Sequence, residues 1–241
     1  MFQYEEGVKA LGNVSFEIKP NTVTALEGES GSGKSTAANL IAHFWDVTEG
    51  AVTIGGVDVR DIDYSELMKN ISIVFQDTNL FKMSVAEIVA MYKPDASRKK
   101  ILNALKAARC GDIIEKLPNG IDSVIGTKGV YLSGGEMQRI ALARAILKDA
   151  PIVLLDEATA FADAENEYLI QKALDVLLKG KTVLMIAHRL QTVVHADQIL
   201  VTQKGKIAER GNHSKLMKKD GIYAKMFREY ENSVSWKIGG R

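Results

Sequence analysis

A chain of 241 residues with 46% hydrophobic and 25% charged residues can bury a full core, as one large domain or two small lobes. Its net charge of +1 leaves no electrostatic footprint for nucleic acid, and a lone Cys110 excludes disulfides and suits a reducing compartment. No run approaches the roughly 18 apolar residues of a membrane span, and Met1-Phe2-Gln3-Tyr4-Glu5-Glu6 does not read as a signal peptide, so any work at a membrane is expected to go through a partner.

In chain order, Asn13-Val14-Ser15-Phe16-Glu17-Ile18 alternates polar and apolar residues, which predicts a half-buried strand ending at a Pro20-Asn21 turn. Residues 23–26 read as a short buried strand and 36–41 as a helix. Between them stands Gly28-Glu29-Ser30-Gly31-Ser32-Gly33-Lys34-Ser35, the spacing of a phosphate loop. The chemistry wants these residue types. Gly28, Gly31 and Gly33 let the backbone take positive φ and come close to a polyphosphate. Successive N–H groups, with the positive end of the following helix, make an anion nest. Lys34 adds a charge for the β and γ oxygens, and the Ser35 hydroxyl is suited to Mg²⁺. This stretch predicts a nucleotide site.

Further on, Gly55-Gly56 signals a hairpin within residues 51–59, and a short apolar strand at 71–75 runs into Gln76. From about 80 to 135 the pattern turns helical, with Ile101, Leu105 and Ala108 on one face and Arg98-Lys99-Lys100 as a solvated patch. Leu132-Ser133-Gly134-Gly135-Glu136-Met137-Gln138-Arg139 is a second Gly-rich turn opening a helix that reaches residue 147, and it reads as a second anion site. A continuous apolar strand at 152–155 ends in Asp156-Glu157, where one carboxylate can hold Mg²⁺ through water and its neighbour can polarise an attacking water. A helix at 165–178 and a buried strand at 182–186 lead to Ala187-His188-Arg189. Residues 199–208 predict a hairpin turning at Lys204-Gly205, 221–231 a last helix, and 233–241 a disordered tail. Strands alternating with helices predict a mostly parallel α/β core with a helical insertion.

Taken together, these motifs resemble the nucleotide-binding domain of ATP-binding cassette (ABC) transporters, over residues 2–230 or so and in the family's order; LSGG-x-x-QR is close to private to it. The resemblance implies a P-loop NTPase core with a mostly parallel sheet, an N-terminal antiparallel β subdomain and a helical subdomain. The expected domain is 1–232, with a core lobe at about 1–79 and 136–232 and the helical subdomain at about 80–135. It implies ATP and Mg²⁺ as ligands. Tyr4 is expected to stack on adenine, and residues 28–35 with Thr36 form the Walker A loop, including the contacts of Glu29, Ser30 and Ser32. Gln76 is expected to contact Mg²⁺ and the water, Asp156 to close Walker B, Glu157 to act as catalytic base, and His188 to touch the γ-phosphate beside Lys34. Ser35, Gln76 and Asp156 make up the expected metal set. Asp163 belongs to a loop that crosses a dimer. In this family two domains pair head to tail, so Ser133, Gly134, Gly135 and Glu136 of one would complete the ATP site of the other.

Four positions depart from the family's pattern. Glu136 replaces the usual glutamine and accepts hydrogen bonds without donating any. Ala160-Phe161-Ala162 puts one hydroxyl contact across the dimer in doubt, and Thr127 stands where a glutamate usually meets the membrane domain. Pro20-Asn21 replaces Pro-Gly, which asks Asn21 to take the left-handed conformation. The stretch Leu117-Pro118-Asn119-Gly120, the lead Gly129-Val130-Tyr131, and Ala187-His188-Arg189-Leu190 resemble exporter-type half-transporters. The expected activity is ATP hydrolysis that drives transport through membrane domains, at the cytoplasmic face of the cell membrane, with no nucleic acid as partner. The chain is expected to be a piece of a longer half-transporter, a separate subunit being the other reading. A soluble ABC-type ATPase and a regulatory nucleotide-binding module are the rival functions.

Overall fold

The computed structural model describes residues 1–5, 8–75, 82–126, 129–156, 164–186 and 193–239, with backbone alone at residues 4, 5, 8, 9, 164, 165 and 233–239. Two compact units divide the chain, one formed by Met1–Lys69 with Thr182–Arg241 and the other by Asn70–Lys181.

The first unit begins with the antiparallel pair β1 (Phe2–Glu5) and β2 (Val8–Leu11). It continues through β3 (Val23–Glu27), α1 (Lys34–Ile41), the hairpin β4 (Thr53–Ile54) and β5 (Val57–Asp58), and α2 (Tyr64–Asn70) at its edge. The hairpin turns at Gly55 (φ 60°) and Gly56 (φ 84°), both left-handed as a two-residue turn of this kind requires. Asn21, at φ 56°, takes the left-handed conformation that the Pro20-Asn21 sequence demands.

In the second unit β6 (Ile71–Val74) pairs in parallel with β9 (Ile152–Asp156). Between them lie β7 (Met83–Ser84), α3 (Val85–Ala90), α4 (Arg98–Ala107), α5 (Gly111–Lys116), β8 (Val124–Ile125) and α6 (Gly134–Lys148), with α7 (Ala164–Leu177) after β9. The expected helical stretch therefore also holds a short antiparallel ladder, β7 on β8. Ile101, Leu105 and Ala108 are buried, as the spacing predicts. At the centre, α6 packs against α3, α4 and α7, and its alanines and short aliphatics let three helices approach at once.

The chain returns to the first unit through β10 (Thr182–Ile186), β11 (Gln198–Gln203), β12 (Lys206–Gly211), α8 (His213–Lys219) and α9 (Ile222–Gly239). There β3 lies between β10 and β11, parallel to both, and β12 is antiparallel to β11. Buried on both faces, β3 reads as a near-continuous apolar run, and Ala25 joins Val193, Ala196, Ile199, Val201, Leu216 and Tyr223 in one core cluster. The β11–β12 hairpin turns at Lys204 (φ 48°) and Gly205 (φ 70°), where the sequence signals it.

One expected strand is absent. Asn13 takes a left-handed φ of 51°, and residues 14–18 keep the alternation of half-buried and exposed side chains without joining a ladder. Side chains of the neighbouring hairpin serve that backbone instead. Arg210 Nη2 donates to the Ser15 carbonyl at 2.6 Å and Gln198 Nε2 to that of Glu17 at 3.3 Å. The closing helix also runs past residue 231 to Gly239.

Candidate functional site

The phosphate loop leaves the C-terminal end of β3 and enters α1. Gly28 has φ 148° and Gly33 φ 100°, and a methyl group at either would strike protein backbone: the Thr202 carbonyl oxygen at 2.2 Å from Gly28, the Ala10 carbonyl oxygen at 2.8 Å from Gly33. The glycines are thus demanded by the chain packed behind the loop as well as by any phosphate in front of it. Ser32 is buried, and its hydroxyl lies 2.8 Å from that of Thr202, which donates to the Glu27 carbonyl at 3.0 Å. β11 thereby props the loop from below. The crest, Glu29, Ser30 and Gly31, is exposed.

Lys34 is 5% exposed and folds back, donating from Nζ to the Gly28 carbonyl at 2.7 Å and the Glu29 carbonyl at 3.0 Å. These are neutral acceptors that an anion can displace. α1 begins at Gly33 with no side-chain cap and no acidic residue in its first turn, so its positive end is matched by no protein carboxylate there. The Ser35 hydroxyl is on the exposed side of that turn, and Thr36 is buried.

The second Gly-rich turn is built differently. Ser133 caps α6 in a reciprocal box: its Oγ accepts from the Glu136 N–H at 3.3 Å, and Glu136 Oε2 accepts from the Ser133 N–H at 2.8 Å. The departure from glutamine at position 136 keeps this box, which needs only an acceptor. Glu136 also lies 3.6 Å from the Lys116 ammonium. Gly135 is buried, and a methyl group there would lie 2.8 Å from Asn166 Cβ, so the glycine lets α6 and α7 close together. One turn along, Arg139 is 1% exposed and grips Asp112 through two bonds of 2.7 and 2.9 Å, while also donating to the Arg109 carbonyl. That hydrogen bonding holds the Asp112 carboxyl below the usual range. Cys110 beside it is fully buried, and burial pushes its thiol up to about 12.

Asp156 is half-buried at the end of β9. Tyr4 lies on β1, with its side chain beyond what is described. Gln76, Thr127, Glu157, Ala160-Phe161-Ala162, Asp163 and His188 lie outside the described residues. The structure thus gathers 28–36 in the first unit, and in the second the turn at 133–136 and, separately, Asp156.

Sequence reasoning passed over Thr202 and Glu27. Glu27 is 5% exposed, its Oε2 has no hydrogen-bond partner, and burial pushes its carboxyl up to about 7 against the pull of the Gly28 N–H and the Lys34 charge. The available signal was a lone carboxylate closing the short buried run Val23-Thr24-Ala25-Leu26. Thr202 gave no signal in the sequence, since its contact spans 170 positions.

A family model described as "ABC transporter" matches residues 11–160. The chain belongs to the ABC transporter family. It is an ATP-binding domain of that family, and it is similar to part of longer proteins. One is the mycobactin import ATP-binding/permease protein IrtA of Mycolicibacterium thermoresistibile, 50% identical over 92% of this chain and 24% of its own length. Another is the ATP-dependent lipid A-core flippase of Legionella pneumophila, 45% identical over 93% of this chain and 38% of its own. Among solved structures, a bacterial Atm1-family ABC exporter with ATP bound aligns with a TM-score of 0.88 and 38% identity, over 95% of this chain and 40% of that one. The fold is that of an exporter-type ABC nucleotide-binding domain, a P-loop NTPase core with a mostly parallel sheet. The chain spans less than two fifths of the length of these two curated relatives. Among the described residues, no helix is long and apolar enough to cross a membrane.

Proposed function

We propose that this ABC domain hydrolyses ATP and uses the cycle to drive substrate movement through transmembrane domains, at the cytoplasmic face of the cell membrane. The observation that carries the reading is the phosphate loop itself. A left-handed Gly28 and Gly33, an α1 start with no side-chain cap, and a buried Lys34 whose ammonium donates to the Gly28 and Glu29 carbonyls make a nest suited to a polyphosphate.

In the proposed cycle, Lys34 turns from the Gly28 and Glu29 carbonyls to the β and γ oxygens of ATP, and Tyr4 stacks on the adenine. Glu157 orients or deprotonates the attacking water, while Lys34 and His188 stabilise charge on the transferring phosphoryl group. Ser35, Gln76 and Asp156 would hold Mg²⁺. Exposed Ser35 and half-buried Asp156 fit that ion, being hard oxygen donors, and Mg²⁺ when bound supplies neutralisation of the phosphate charge. Two copies, or this domain and a similar one, would pair head to tail around two ATP. The Ser133-Gly134-Gly135-Glu136 turn of one, with Asp163, then completes the site of the other. Each ATP favours the closed pair because it contacts both members. The domain is read as 1–232, with a core at 1–79 and 136–232 and a helical subdomain at 80–135 that passes the motion on, together with the loop after Gln76.

Release of phosphate from ATP by the purified chain tests the chemistry. Turnover that disappears in both Lys34→Ala and Glu157→Gln supports it; an unmutated chain that binds ATP and never releases phosphate points to a regulatory module. Co-purification with membrane helices from the native host separates a transporter from a soluble ATPase.

A further inference from the structure

The phosphate loop has an ionisable group beneath it that the cycle above does not use. Glu27 ends β3 immediately before Gly28, is almost wholly buried, and leaves Oε2 without a partner. A buried carboxylate with an unpaired oxygen is costly when ionised and cheap when protonated. Its surroundings give it little reason to ionise. On its own turn it takes the Gly28 N–H, and from α1 it feels the Lys34 ammonium. From α9 the Tyr223 hydroxyl faces it, and that phenol is itself pushed up to about 12 by burial and by the Glu27 charge. The charged groups around Tyr223 are engaged with one another. His213 Nδ1 lies 2.9 Å from the Tyr223 hydroxyl, and Glu209 accepts the Tyr223 N–H at 3.0 Å and sits 3.3 Å from the Lys219 ammonium. Of these neighbours, Lys34 is the cation that favours a charged Glu27.

A polyphosphate on the loop changes both sides of this balance. It brings several negative charges to the N–H groups directly above Glu27, and it draws the Lys34 charge towards itself. Each change disfavours the carboxylate. We propose that nucleotide binding at the phosphate loop is coupled to uptake of a proton by Glu27. This rests on the reading of residues 28–36 as the ATP site and goes beyond it, because it adds a proton to the binding step and makes the affinity depend on pH.

The sign and size follow from linkage. Burial, against the pull of the Gly28 N–H and the Lys34 charge, lifts the free-state Glu27 carboxyl to about 7, so near neutral pH the free protein holds both forms. If the bound state is protonated, binding at pH 7 takes up about half a proton, and affinity falls roughly tenfold from pH 6 to pH 8. Acid therefore favours the bound state.

The test is calorimetric. The full chain and Glu27→Gln are titrated with the non-hydrolysable analogue adenylyl imidodiphosphate and Mg²⁺ at pH 7, in phosphate and in Tris buffer. The difference in heat between buffers of unlike ionisation enthalpy counts the protons exchanged. Unmutated protein should take up about half a proton more than Glu27→Gln, and its affinity should fall roughly tenfold more between pH 6 and pH 8. Equal proton counts and parallel pH profiles in the two proteins would overturn the coupling while leaving the nucleotide site in place. Absence of binding in both would sink the ATP-site reading and the coupling with it. Glu27→Met carries the same comparison should the glutamine variant fail to fold.

Discussion

The two Gly-rich turns of this chain both open helices, yet they solve the same problem in opposite ways. The turn at 133–136 satisfies its own helix start, with Ser133 and Glu136 exchanging hydrogen bonds, and a buried Arg139 fixes the helix to Asp112 and the Arg109 carbonyl. The loop at 28–35 has no side-chain cap on α1, and it is held from behind by Thr202, Ala10 and Leu11. One turn is closed by its own residues; the other opens its helix without such a box, beside a lysine that donates to the loop's own carbonyls. A difference in capping thus separates a turn closed on itself from a loop whose helix start suits an anion.

The largest way to break that contrast is Gly28→Ala. Its methyl group would sit 2.2 Å from the Thr202 carbonyl oxygen at a φ of 148°, so the loop must move, and nucleotide affinity measured calorimetrically should fall by on the order of a hundredfold or more. On the other turn, Arg139→Met should lower stability by about 3 kcal/mol in denaturant titration. It removes a fully buried cation from Asp112, whose half-exposed carboxylate keeps part of its hydration. A comparable effect hangs on pH. The folded-state carboxyl of Glu27 is raised from 4.5 to about 7, so the unfolded chain gives up its proton first. The buried group therefore costs nothing below pH 4.5, and its cost grows until pH 7, reaching about 3 kcal/mol. Glu27→Gln should flatten that part of the stability-against-pH curve, which thermal melts of both proteins across the window would measure. The smallest effect belongs to Glu136→Gln. Glutamine can still accept from the Ser133 N–H, and the 3.6 Å contact with Lys116 involves an exposed lysine, so the loss should stay under about 1 kcal/mol.

What was legible in the sequence is what local chemistry dictates. The phosphate loop announces itself because three glycines, a lysine and a serine must stand at fixed spacing. The turns at Gly55-Gly56 and Lys204-Gly205 do so because few residues tolerate left-handed backbone, and Asn21 takes that conformation in place of glycine. Buried strands β3, β9 and β10 stand out as short, largely apolar runs. What escaped is set by distant chain. Alternation at 13–18 looked like a strand, but the polar groups answering that backbone come from Gln198 and Arg210. The backing of the loop by Thr202 and the role of Arg139 as a clamp depend on partners far along the sequence. Glu27 was hidden for a different reason. A carboxylate beside a glycine reads as an exposed turn residue until its burial is known.

In the proposed cycle the loop of one copy and the turn of another share one ATP, and Glu157 ends that state by hydrolysis. Solution mass of Glu157→Gln with ATP and Mg²⁺, beside the unmutated domain, tests it most directly. The expected result is a stable dimer for the variant with ATP and a monomer for the unmutated domain once turnover is complete. A variant that binds ATP yet stays monomeric, beside an unmutated domain without turnover, would contradict it.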